Sequence, residues 1–486
     1  MNYKMMGKFL SQIAALEAVF LIPALVLSLC FGEYNATFGF GIALAVAAAA
    51  GGLLYLLCRK AGKSFGIREG MVCCSGAWML LSLIGCLPFV FSGAIPHFVD
   101  ALFETVSGFT TTGSSILTEV ESLPRSILYW RSFTHWVGGM GVLVFLLAVA
   151  PGEGGKGFTL HLLRAESPGP DVGKLVPKMK QTASILYLIY IVLTIVDFLF
   201  LLAGAMDPLE AVCTAFGTAG TGGFGVRNDS LVSYSPYIQN VTTVFMLLFG
   251  INFSCYYLIL IGGIKSVLKD EELRFYLILL VVAIALIACN IYGINQDTDT
   301  VEETIRHSSF QVATIISTSG FATTDFDMWP AFSKAILLFL LFTGACAGST
   351  AGGFKCARVL LIFKNLRRNI RQVLHPRKVQ SVRINGKAVD ERVLDNANAY
   401  LAAYVTFLIV GYLVVSLDGM SVGSTFTAVL TCLNNVGPGM EAVGPTCNFA
   451  HLSDLSTVTL TITMLAGRLE LFPILILFSR TTWRHK

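Results

Sequence analysis

The chain has 486 residues, 55% of them hydrophobic and only 13% charged, with a mean hydropathy of +0.71 and a formal net charge of +4. Soluble domains carry about a quarter charged residues, so the composition excludes an ordinary soluble protein and points to a polytopic membrane protein. The 12 cysteines include no C-x-x-C, the 7 histidines form no H-E-x-x-H, and no G-x-x-x-x-G-K-[ST] loop occurs, which argues against a metal or redox centre, a hydrolase and an ATP-driven pump.

Apolar runs of about 18 residues or more, long enough to cross a bilayer, recur at roughly 9–31, 37–57, 72–94, 127–150, 183–205, 237–263, 274–294, 331–362, 399–417 and 456–479. They predict ten spans. The first run is too long for a signal-peptide core and lacks a small-residue cleavage site before the next, so it is expected to stay as a helix. With the N-terminus inside, the tail and the even-numbered loops collect 28 of the 34 Lys and Arg, eleven of them in 355–392. Short cytoplasmic loops carry such an excess, so both termini are expected in the cytoplasm. The positive balance then follows from topology and implies no nucleic acid.

The stretch 214–229, TAFGTAGTGGFGVRND, spells G-x-G-x-x-G at Gly220, Gly222 and Gly225. A dinucleotide site needs a strand before it and an acidic residue about twenty positions on. Position 245 is Phe, inside an apolar run, so the glycines need another account. A repeat supplies it. ALFETVSGFTTTGSS from 101, EAVCTAFGTAGTGGF from 210, SSFQVATIISTSGFA from 308 and TFTAVLTCLNNVGPG from 425 align without a gap and place Gly113, Gly222, Gly320 and Gly437 at one position. Gly220 and Gly223 are close rivals in the second string.

Each string begins with a helix too short to span and must enter and return. Irregular backbone at membrane depth survives only buried in protein or lining water, so four returns imply one shared aqueous centre. Glycine turns the backbone, Thr and Ser add oxygens, and no Asp or Glu lies in 110–115, 219–224, 317–322 or 434–439. A neutral oxygen ring suits a large monovalent cation better than Ca²⁺ or Mg²⁺. The candidate ligands are Thr111, Thr112 and Gly113; Thr221, Gly222 and Gly223; Thr318, Ser319 and Gly320; and Asn435, Val436 and Gly437. The fold expected is all-α, with ten transmembrane helices and four pseudo-repeated helix–pore loop–helix units around one pore. Its parts are 1–70, a two-helix domain, then repeats at 71–152, 153–266, 267–392 and 393–486.

Four such units, with the strings GFTTTGSS, STSGFATTD, GSTAGGFK and LAGRLELFP, resemble the Trk/Ktr/HKT superfamily of K⁺ transporters, and its bacterial potassium-uptake branch in particular. The resemblance covers essentially the whole chain. It implies K⁺ as the transported ion with Rb⁺ accepted, no covalent cofactor, a homodimer with one pore per subunit in the bacterial inner membrane, and a cytoplasmic nucleotide-binding regulatory ring, TrkA. Whether H⁺ or Na⁺ is coupled stays open, since no span carries an obvious carboxylate relay and Asp197, in the fifth span, has an unknown facing. The rival expectation is a secondary transporter of an organic solute with inverted repeats and broken helices.

Two features stand beside the repeats. GACAGSTAGGFK, 344–355, interrupts a run longer than a crossing needs. Gly344, Gly348 and Gly352 have the spacing of close helix packing, but ten residues of Gly, Ala, Cys, Ser and Thr ending in Gly352-Gly353 make a poor helix interior. An unwound loop is expected, with Ser349, Thr350 and Lys355 in it, and the resemblance implies that it gates. Arg468 is an intramembrane charge, rare and costly by at least ~2.5 kcal/mol. Glu470, two residues on, does not share its helix face, so its partner lies elsewhere; a structural ion pair and a charge beside the cation path are both open, and the resemblance favours the second. The basic segment 363–392 carries Asn385-Gly386, a hairpin-turn pair, and is the expected docking surface for a cytosolic partner.

Overall fold

A computed structural model describes residues 1–59, 66–141, 179–294, 299–378 and 380–483. Two long helices, α1 (Tyr3–Cys30) and α2 (Tyr34–Cys58), form an antiparallel hairpin. The buried face of α2 is mostly small, with Ala36, Gly39, Ala43, Ala47 and Gly51 beside Phe40, and a Cβ on Gly51 would come within 3.3 Å of Ser11 O. Close backbone approach of this kind is how helices associate where lipid offers no hydrophobic contrast.

The rest alternates long and half-length helices. α3 (Ile67–Gly85) runs into α4 (Leu87–Ser92), and α5 (Phe98–Phe109) and α6 (Arg125–Gly139) follow. After residues outside the description come α7 (Met179–Ala203), α8 (Pro208–Gly220), α9 (Pro236–Phe249), α10 (Phe253–Leu260), α11 (Glu271–Ile291), α12 (Val301–Ile316), α13 (Ala331–Thr343) and α14 (Cys356–Leu374). α15 (Glu391–Val415), α16 (Val422–Asn434), α17 (Asp454–Arg468) and α18 (Phe472–Phe478) follow, with a last short turn of helix at Arg480–Trp483.

Among the described residues six helices are long and apolar enough to cross a bilayer, or seven if the bent pair α9–α10 counts as one. Ten were expected, and the difference has a common place. Span 127–150 begins as α6, but 142–150 lies outside the described residues, as does the basic loop 153–178. Span 237–263 is bent by 87° between α9 and α10. Span 331–362 unwinds between α13 and α14, and span 456–479 breaks where Glu470 and Leu471 take φ of 54° and 65°. Each of these four follows one of the half-length helices α5, α8, α12 and α16.

Those four helices, of 12, 13, 16 and 13 residues, are too short to span. Three have side-chain N-caps: Asp207 accepts from the Leu209 and Glu210 N–H groups, Thr300 forms a capping box with Glu303, and Ser421 accepts from Ser424. Tyr129, Phe133 and Trp136 of α6 pack around Phe216 of α8, fixing α6 against the second half-length helix.

The segment after α14 forms the expected hairpin. β1 (Arg383–Ile384) pairs antiparallel with β2 (Lys387–Ala388), and Asn385 and Gly386 take φ of 50° and 76°, as a primed turn requires. It is tied down: Asn385 accepts from Glu271 N–H at 2.9 Å and donates to Asp270 at 2.8 Å.

Candidate functional site

The half-length helices all stop the same way. Thr111, Thr221, Thr318 and Asn435 turn left-handed, with φ of 57°, 57°, 58° and 54°. The next N–H of each reaches back: Thr112 to Ser107 O, Gly222 to Gly217 O and Ser319 to Thr314 O at 2.8 Å, and Val436 to Thr431 O at 3.0 Å. Glycine usually closes a helix in this motif. Holding a residue with a side chain there costs of order 1–3 kcal/mol, and surroundings that fix it four times mark a built feature.

One residue further, Gly113, Gly223, Gly320 and Gly437 again have positive φ, 79°, 72°, 84° and 101°. The second loop is therefore out of step with the gapless alignment. Gly223, not Gly222, is the equivalent of the other three, and Gly220 is the last residue of α8. The loops also touch in a cycle. A Cβ on Gly113 would overlap Gly222 O, one on Gly223 would overlap Ser319 O, one on Gly320 would overlap Val436 O, and one on Gly437 would come within 2.8 Å of Thr112 O. First meets second, second third, third fourth, and fourth first. Both the φ and the contact restrict these positions to glycine.

The oxygens of this ring are neutral. Thr110 and Thr112 share a hydroxyl hydrogen bond of 2.7 Å, Ser317 and Ser319 one of 2.8 Å, and Asn435 donates to Thr112 at 2.9 Å. Ser114 donates to Gly437 O at 3.1 Å. Among the described residues no cluster of three or more His, Cys, Asp and Glu is arranged for a metal ion. Behind the ring lies a buried pair that motif reading missed: Arg131 Nε donates to Glu104 at 2.6 Å and Nη1 to Gly225 O at 2.9 Å, with the guanidinium 3.8 Å from the Phe224 ring centre. Its signal was present, since Arg131 is one of six basic residues outside the cytoplasmic loops. Asp197 is buried in α7, and its carboxylate oxygens have no protein hydrogen bond.

At the chain's fourth loop, Glu441 accepts hydrogen bonds from Ser421 and Ser424, which hold its carboxyl below the usual 4.5. Its own N–H donates to Asp327 at 2.7 Å; burial raises the Asp327 carboxyl above its usual value.

The segment 344–355 is unwound. Gly344, Gly348 and Gly353 have φ of 66°, 71° and 79°, and Lys355 has 78°. It abuts the ring: Gly352 N–H donates to Thr318 Oγ1 at 2.7 Å, and a Cβ on Gly352 would overlap Asn434 O. It also fills the bend between α9 and α10. Cys346 N–H donates to Gly250 O at 3.2 Å, Phe253 N–H to Gly348 O at 3.0 Å, and Thr350 Oγ1 to Phe249 O at 3.2 Å. Ser349 bonds within the loop to Cys346 O, and Lys355 Nζ reaches Ala351 O. Glu272 accepts from Ala347 N–H at 2.6 Å and Ala357 N–H at 3.1 Å, clasping both ends.

Arg468 meets this loop. Its Nη1 donates to Thr350 O at 2.9 Å and its Nη2 to Gly138 O and Gly139 O at 2.5 and 2.7 Å. The last two are carbonyls at the end of α6, where the helix dipole favours a cation. Glu470 instead pairs with Arg358 of α14.

The model of the TrkH family, described as cation transport protein, matches residues 37–484. The chain belongs to the TrkH family. This is a family of transport proteins and not of enzymes. The Trk system potassium uptake protein TrkH of Escherichia coli (strain K12) is 36% identical over 452 residues, 90% of this chain and 91% of that one. TrkG of the same organism is 33% identical over 473 residues, 96% of each. The crystal structure of the potassium transporter TrkH from Vibrio parahaemolyticus matches with a TM-score of 0.87 at 31% identity, covering 100% of both chains. The helical architecture of this chain is thus that of a TrkH protein.

Proposed function

We propose that this TrkH-family chain takes up K⁺ through a selectivity filter formed by the four helix ends. One observation carries the reading: four glycines at positive φ close a ring of neutral backbone and hydroxyl oxygens. Such a ring replaces the weakly held hydration shell of a large monovalent cation. The filter ligands are Thr111, Thr112 and Gly113, Thr221, Gly222 and Gly223, Thr318, Ser319 and Gly320, and Asn435, Val436 and Gly437. The loop from Gly344 to Lys355 gates the path, and Arg468 supplies a positive barrier beside it.

On this reading the broken helices complete ten spans in four pseudo-repeated units, with α1 and α2 as the added domain and the parts bounded at 70, 152, 266 and 392. The chain lies in the bacterial inner membrane with both termini cytoplasmic, as a homodimer. The relatives' Trk system supports a cytoplasmic regulatory subunit acting through the basic segment 363–392. The test is flux of K⁺ or Rb⁺ into liposomes holding the purified protein alone. Uptake without an organic solute, and in preference to Na⁺, is the expected result; flux that appears only with an organic substrate overturns it.

A further inference from the structure

The second loop lacks what its neighbours carry. At the position of Thr112, Ser319 and Val436 it has Gly222, and two residues earlier, where they have Thr110, Ser317 and Asn434, it has Gly220. The paired hydroxyls that brace loops one and three are therefore missing from loop two. The space is filled from α6. A Cβ on Gly222 would overlap the His135 ring, and one on Gly220 would overlap His135 O and sit 3.1 Å from His135 Cβ.

The imidazole is fully buried and uses both nitrogens. Nδ1 lies 2.8 Å from Gly108 O, a pure acceptor, so Nδ1 carries the proton. Nε2 then accepts from Phe224 N–H at 3.3 Å. Gly108 belongs to α5, the helix of the first loop, and Phe224 directly follows Gly223. A neutral ring thus fixes the distance between two adjacent loops, with the Phe224 ring tilted by 36° against it at 4.2 Å between ring centres.

We propose that His135 is a positioning residue for ion selection, supplying from α6 the bracing side chain that the second loop does not carry. The inference rests on the filter reading above. It also accounts for the doubled glycine: Gly222 has no positive φ, so the imidazole, not the backbone, is what bars a side chain there.

The test is the K⁺ over Na⁺ permeability ratio from reversal potentials of the full-length protein in bilayers. His135→Leu fills the space without the two hydrogen bonds; His135→Gln keeps a donor for Gly108 O and an acceptor for Phe224 N–H. The Leu variant is expected to lose the ratio on the order of tenfold, the factor that about 1.4 kcal/mol of discrimination represents, and the Gln variant to hold it. Gly222→Ser is expected to impair transport in the parent but to be tolerated, and to restore part of the ratio, beside His135→Ala. Equal ratios for the Leu and Gln variants, or a Gly222→Ser defect that is the same with and without His135, overturn the inference. Gly113→Ser and Gly320→Ser serve as the reference: if they too leave the ratio unchanged, the filter reading fails; if they shift it while His135→Leu does not, only the role of His135 falls.

Discussion

Arg468 is bound to carbonyls of two elements, Thr350 in the unwound loop and Gly138 and Gly139 at the end of α6. Its removal therefore has two separable effects. On the proposed barrier role, Arg468→Ala is expected to raise Rb⁺ uptake, while the lost charged hydrogen bonds, about 1.5–3 kcal/mol each where water does not replace them, lower the melting temperature modestly. Reduced uptake in a folded variant would reject the barrier. The ring glycines behave differently: a Cβ at Gly113 or Gly320 meets a neighbouring carbonyl, so on the filter reading Gly113→Ser or Gly320→Ser is expected to cut K⁺ preference more than folding, read by reversal potentials. Glu441 adds a pH dependence. Its carboxyl is depressed in the folded state, so its contribution is present above about 4.5 and disappears as pH falls through the folded value; Glu441→Gln is expected to flatten that part of a melting-temperature profile. At this scale the sequence was only partly legible. The letters named the ring, but two adjacent glycines concealed the register of loop two, because the side chain that decides it comes from His135, eighty-seven positions away. The acceptors of Arg468 were illegible for a simpler reason: a backbone carbonyl has no letter.

Among the elements, the half-length helices and the unwound loop were readable, because a run too short to span and ten small residues in a row each violate what a crossing helix needs. The breaks in α9–α10 and α17–α18 were not. Gly250–Asn252 lies inside an unbroken apolar run, and its 87° bend is stabilised from outside, by the loop that donates and accepts at Gly250, Phe253 and Phe249. Hydropathy measures length, while bending is decided by a partner about a hundred residues later. The mutual bonding makes a prediction. Deleting 346–350 removes three of these bonds, worth about 1 kcal/mol each, and withdraws Thr350 from Arg468. Basal Rb⁺ flux is expected to rise with a small fall in melting temperature. If a well-folded deletion conducts as the parent does, the loop does not gate; if the protein merely fails to express, packing was its role, and Gly348→Ala, which crowds Asn252 at 3.0 Å, is the milder variant to compare.

For the whole molecule, composition alone pointed to the membrane, and the Lys and Arg distribution supplies only an expected orientation. The cyclic order of the four loops was beyond either, since it depends on contacts between segments about a hundred residues apart and, where the fourth loop meets the first, more than three hundred. That order bears on mechanism. A carrier built on inverted repeats sets two broken helices in opposed directions around a midplane solute, whereas here four helix C-termini converge on one ring. If the ring is a filter without a coupled ion, it conducts down the electrochemical gradient, and the gradient sets a limit. Moving one charge through 100 mV is worth about 2.3 kcal/mol, which at 1.4 kcal/mol per decade corresponds to roughly a fifty-fold accumulation. Liposomes held at 100 mV, negative on the side that receives the ion, are therefore expected to concentrate Rb⁺ to about that ratio and no further, whatever the H⁺ or Na⁺ gradient. Accumulation well beyond it, responding to an imposed pH or Na⁺ gradient, would require a coupled ion, and the buried Asp197 would then be the first carboxylate to substitute.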